Sequence, residues 1–139
     1  MNLRISQKIK EIQDSLQMIE EALPANIEEF NHLGLVKDGI YKRLEFCIQN
    51  LIDIFSMIYI ENNLGVPGAI DDIFIALSSK KLFSKKILQI IGEMKGLRNI
   101  LAHRYGVIDD NIIFEILKER LGDFELIISA IEEYYKKKK

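Results

Sequence analysis

FCIQNLIDIFSMIYI, Phe46 to Ile60, is the stretch on which the fold turns. It is the most apolar run of the chain, and it reads either as a membrane span or as a buried helix. A bilayer-crossing helix needs about 20 consecutive apolar residues. This run has fifteen, and Gln49, Asn50 and Asp53 interrupt it. The buried helix is therefore the reading to carry forward, and no membrane partner is expected. Ile40, Leu44, Cys47, Leu51, Phe55 and Ile58 extend one apolar row along a helix from about Asp38 to Asn62, with further apolar residues on both flanks. A helix so apolar must be wrapped by neighbouring helices or by a second chain.

The same periodicity organises the rest. Leu3, Ile5, Ile9, Ile12, Leu16, Ile19 and Leu23 recur at helical spacing, and Pro24 stops that helix. Asn26 followed by Glu29 resembles a capping box and predicts a short helical turn over NIEEF. Gly34 and Gly39 punctuate the next connection, with Asp38 as candidate N-cap. NNLGVPG, Asn62 to Gly68, is a turn-rich loop, and a short helix from about Ala69 to Ser79 follows it. Ser84 caps the next helix, whose stripe is Ile87, Ile90, Ile91, Met94, Leu97 and Leu101, and Gly106 ends it. The last helix begins near Asp109 or Asp110 and runs unbroken to the lysine tail, Lys136 to Lys139, a frayed basic end. No segment alternates like a strand. The expectation is an all-α antiparallel bundle of about five helices, one domain over residues 1–139.

Composition narrows the function. A hydrophobic fraction of 48% with 29% charged residues suits a globular protein with a real core. A single cysteine, Cys47, excludes an internal disulfide and fits a reducing cytoplasm, where it serves as a small core residue. The N-terminus has no continuous apolar stretch of the signal-peptide kind. Net charge is −2 but unevenly spread: Lys80 to Arg104 holds seven basic residues against Glu93 alone, a net of +6. That segment is either a footprint for a polyanion or a solvated helix face.

Within it lies RNILAHRY, Arg98 to Tyr105, which is crowded with polar groups just where the apolar stripe should continue. At 100° per residue, Gly92, Gly96, Asn99 and His103 fall on one row. Two glycines, an amide and an imidazole bury little apolar area but let another backbone approach closely. Arg98 falls beside the apolar stripe instead, so it needs a partner, and Asp53 is the natural candidate. His103 lies roughly 140° from Arg98 around the axis. The two can meet on one ligand only if the helix loosens before Gly106, or if the second group comes from another chain across the glycine row.

That arrangement suggests chemistry. Cleaving RNA requires a base for the 2′-hydroxyl, an acid for the leaving 5′-oxygen, and positive charge on the transition state. Histidine suits both proton roles and arginine supplies the charge with a donor fork. One His and one Arg per chain are too few, but doubled by symmetry they suffice. There is no HExxH, no carboxylate cluster and no phosphate-binding glycine loop, so neither a metal nor another cofactor is expected. From the residues alone, His103 stays open between a capping or core residue and a proton-transfer group. His32, without chemical company, reads as a surface residue.

RNxxxHxY, here Arg98, Asn99, His103 and Tyr105, resembles the signature of HEPN-domain toxins of the HepT family. YKRLEFCIQNLIDIF, the GVP loop, the short helix after it, RNILAHRYGVID and the long last helix follow in that family's order, so the resemblance covers most of the chain. It implies an all-α homodimer with the motif at the dimer cleft, and a metal-independent endoribonuclease. By the resemblance, Arg98 stabilises the transition state, His103 handles protons, and Asn99 positions one or both. It also implies a minimal nucleotidyltransferase antitoxin that silences the toxin by attaching AMP to the motif tyrosine, Tyr105. The competing expectation is a non-catalytic HEPN dimer that binds a nucleotidyltransferase or a nucleotide.

Overall fold

In the computed structural model, which describes residues 1–103 and 108–138, the Phe46 to Ile60 run passes through the centre of the molecule, although Phe46 and Ile60 themselves are exposed. Seven helices are present among the described residues: α1 (Leu3–Ala22), α2 (Ile27–Asn31), α3 (Leu35–Glu61), α4 (Ile70–Ser79), α5 (Lys85–His103), α6 (Asp110–Glu119) and α7 (Gly122–Lys138). None is long and apolar enough to cross a membrane. Helix α3 is the axle. Leu44, Cys47, Ile48, Leu51, Ile54, Phe55 and Ile58 are all essentially without solvent contact, because α1, α4 and α5 pack around them. Each such side chain contributes about 1.5–3 kcal/mol by leaving water. Cys47 takes its expected place in the core, where burial pushes its thiol up to about 12.

The helix ends follow local chemistry. Asn2 caps α1 by accepting from the Ile5 amide at 2.9 Å, and Leu23 turns extended before Pro24, as the ring requires. Asn26 accepts from the Glu29 amide at 2.9 Å, so NIEEF does form a helix, pinned by Phe30 against Tyr41 of α3 and Phe114 of α6. Ser84 caps α5 through the Ile87 amide at 3.2 Å.

Three expectations need correction. Helix α3 begins at Leu35, so Asp38 is not its N-cap but an acid in its first turn, where it complements the helix dipole. Gly34 makes the turn at φ +59°, and Gly39 lies inside the helix. The last helix is two helices, broken at Arg120 and Leu121. Arg120 grips Asp123 there at 3.0 Å, across the turn before Gly122. The apolar stripe keeps helical spacing through the break, so periodicity hides it. Finally, Lys136, Lys137 and Lys138 do not fray but complete α7. The ring of Tyr134 stacks on Phe83 at 5.3 Å, and the Tyr135 hydroxyl donates to Glu61 at 2.8 Å, which holds that last turn to the bundle.

Candidate active site

Arg98 lies on the side of α5 that faces α3 and is half-buried. Its Nη1 donates to Gln49 Oε1 at 2.7 Å. Gln49 Nε2 in turn donates to Asp53 Oδ1 at 2.8 Å, and Lys8 of α1 reaches Asp53 Oδ2 at 3.5 Å and Asn50 Oδ1 at 3.4 Å. The arginine's partner is thus Gln49, with Asp53 one step behind it. Helices α3 and α5 run antiparallel, and Gln49 stands one turn nearer than Asp53 to the level of Arg98. The amide passes the carboxylate's orientation to the guanidinium without neutralising it. Arg98 Nε is buried with no partner among the described residues, as is Asn50 Nδ2. A buried donor left unpaired costs about 1–3 kcal/mol, so the guanidinium is held in place with part of its donor set unspent.

The other row of α5 presents a different face. Gly92 is half-buried, while Gly96, Asn99 and His103 are exposed. A Cβ added at Gly92 or Gly96 would meet nothing within 4 Å. The helix remains regular through His103. The loosening that could bring Arg98 and His103 together within one chain is therefore absent up to that residue. Arg98 is directed toward α3, and His103 toward solvent on the open glycine face. Tyr105, the expected modification site, and Gly106 lie outside the described residues.

The basic segment is not one patch. Lys80, Lys81, Lys85 and Lys86 surround the start of α5, and Lys95 is tied to Asp71 at 2.8 Å. Eighteen residues of helix separate Lys85 from His103, about 27 Å at 1.5 Å per residue. A linear count of charge missed this, since a helix carries its two ends apart.

Asp109 and Asp110 anchor the start of α6. Asp109 accepts from the Asn111 and Ile112 amides as the cap of α6. Asp110 accepts from Lys37 at 2.7 Å and from the Tyr41 hydroxyl, both on α3. Partial burial works against the Asp110 carboxylate, but the bonds from Lys37 and Tyr41 and the lysine charge outweigh it and hold its pKa below the ordinary 3.8. A depressed carboxylate contributes stability above its unfolded pKa and loses it as pH falls through the folded value. Asp110→Asn should therefore cost about 1.5–3 kcal/mol near neutrality. Urea melts should show the gap from the unsubstituted protein closing only below pH 3.8. Among the described residues, no three His, Cys, Asp or Glu side chains come together as a metal site.

The family model described as ribonuclease HepT-like matches residues 12–131. The chain belongs to the HepT-like family. Its relatives agree with that placement. The HepT-like chain is 28% identical over 132 residues to the mRNA nuclease HepT of Shewanella oneidensis, covering 95% of this chain and 98% of that one. Its fold matches the tri-AMPylated HEPN toxin of Shewanella oneidensis, solved in complex with its MNT antitoxin, with a TM-score of 0.85 at 28% identity, covering 96% and 99% of the two chains. A toxin–antitoxin structure with AMP-PNP matches equally well, with a TM-score of 0.85 at 27% identity over 94% of this chain and 99% of that one.

The expected family and helical bundle are thus borne out. What sequence reading missed at the site is Gln49, Asn50 and Lys8. The signal for Gln49 was present: it precedes Asp53 by four residues in an otherwise apolar run, hence on the same helix face.

Proposed function

We propose that this chain is an endoribonuclease toxin that cuts RNA without a metal, at a composite site built when two protomers meet along the Gly92/Gly96 face of α5. The observation that carries the reading is the split of the motif across α5. Arg98 is fixed by Gln49 on the inner side, while His103 is exposed on the face of Gly92 and Gly96, where an added Cβ would meet nothing within 4 Å. Each chain brings one motif histidine, and the reaction needs an acid as well as a base. A twofold axis against that face supplies the second from the partner.

The chemistry then needs no further group. One imidazole takes the 2′-hydroxyl proton as that oxygen attacks phosphorus. The bond from phosphorus to the 5′-oxygen breaks, and the second ring, protonated, delivers its proton to the leaving oxygen. Arg98 supplies positive charge to the non-bridging oxygens through the part of its guanidinium that Gln49 does not hold. Asn99, exposed beside it, orients the phosphate or the imidazole, and Asp53 acts through Gln49 to keep the arginine in register.

Regulation completes the proposal. A nucleotidyltransferase antitoxin attaches AMP to Tyr105, two residues past His103. This places bulk and negative charge at the cleft and closes it to RNA. The test is direct. Protein whose intact mass shows Tyr105 unmodified should cleave RNA in excess EDTA, and RNA left whole under those conditions would overturn the reading.

A further inference from the structure

The end of the bundle farthest from His103 gathers two lysine clusters that lie fifty or more positions apart in sequence. The α4–α5 turn brings Lys80, Lys81, Lys85 and Lys86, and the last turn of α7 brings Lys136, Lys137 and Lys138. A recess of about 630 Å³ lies between them, with Lys81, Lys85 and Lys137 on its walls among the hydroxyls of Ser78, Ser79 and Ser84. Of these lysines only Lys138 has an ion-pair partner among the described residues, Glu61 at 3.6 Å. Glu132 and Glu133, a turn back on α7, are the acids nearest along that helix. In a chain of net charge −2 this is a concentrated positive end.

Lys81 adds an independent observation. Helix α4 closes in a Schellman motif, with the Leu82 amide donating to Leu77 at 3.0 Å and the Lys81 amide to Ser78 at 2.9 Å. Its left-handed position is Lys81, at φ +58°. Glycine is the residue that takes this conformation without steric cost. A lysine there carries backbone strain, and Lys81 lines the recess.

We propose that this lysine-rich end grips the phosphate backbone of the RNA substrate at a distance from the cleavage site. The proposal rests on the RNA-cleaving reading above. Flexible ammonium groups with adjacent hydroxyls suit phosphate oxygens, and they read no sequence. A protein partner would need an exposed aromatic or aliphatic anchor at the centre of its footprint. The recess offers little of that kind: Phe83 is 7% exposed and Leu82 is half-buried, both packed against the core. The span of about 27 Å along α5 means that long RNA engages both ends of the molecule and short RNA only one.

Binding is best measured in the His103→Ala background, so that the probe survives, by anisotropy of a labelled single-stranded RNA at several salt concentrations. Each phosphate contact to a single strand contributes a slope of about −0.7 in log K against log salt. The combined Lys81→Gln, Lys85→Gln and Lys137→Gln variant should flatten the slope by about 2 and weaken binding at least tenfold at low salt. With His103 intact, the same three changes should raise KM for long RNA and leave kcat alone. Lys81→Gly alone should raise Tm by about 2 °C yet weaken RNA binding several-fold, a split that a purely structural lysine would not give. Unchanged slope and affinity in the triple variant would overturn the proposal. So would an unchanged slope accompanied by loss of the nucleotidyltransferase complex, which would assign the patch to a protein. Salt-dependent binding lost in the triple variant of a chain that never cleaves would keep the patch and sink the nuclease reading. Full cleavage with no effect of the lysines would do the reverse.

Discussion

His103→Ala is expected to lower RNA cleavage by a factor of about 10²–10⁴, the usual worth of a positioned proton-transfer group. The side chain is exposed at the end of α5. Its loss should therefore leave the urea midpoint within about 0.5 kcal/mol of the unsubstituted protein. The pairing of a large activity loss with no stability loss matters. A histidine that merely closed the helix would show the opposite pattern, a lower melting point with cleavage retained. The measurement is a single-turnover rate in excess EDTA beside a denaturation curve.

Arg98→Ala is the second large effect, an expected loss of about 10²–10³ in kcat for removing the fixed positive charge from the transition state. Its stability cost should be small, because the buried Nε that now lacks a partner disappears along with the bond to Gln49. Arg98→Lys should not rescue the rate. An ammonium cannot hold Gln49 and still present a donor fork to phosphate. Gln49→Ala keeps the guanidinium but frees it to swing, so its loss should be smaller than that of Arg98→Ala and should fall on kcat. A Gln49→Ala rate equal to that of the unsubstituted protein would show that the chain through Asp53 and Lys8 has no part in catalysis.

How legible this was depended on the kind of feature. The α3 core was plain in the sequence, because a run such as Phe46 to Ile60 permits few placements other than the centre of a bundle. Caps with a side-chain acceptor, Asn26 and Ser84, were also readable, since one oxygen satisfies one identifiable amide. The start of α3 was not. Gly34 begins it through a backbone reversal with no side-chain bond, and nothing in the residue types marks that. The break at Arg120 escaped because the stripe from Ile113 to Ile128 stays in phase across it. At the site, helical geometry set Arg98 and His103 on different sides of α5, which runs to His103. It named Asp53 and overlooked Gln49, because charge draws attention before hydrogen-bonding reach. The lysines of the α4–α5 turn and of α7 were read as two unrelated runs, and only their packing against each other makes them one surface.

The central claim is that two imidazoles serve a single cleft. It is tested most directly by a purified heterodimer of one unsubstituted and one His103→Ala chain, assayed on RNA in excess EDTA. If the cleft is shared, the heterodimer should be nearly as inactive as the doubly substituted dimer. A rate near half that of the unsubstituted dimer would mean that each protomer works alone, and would contradict the account.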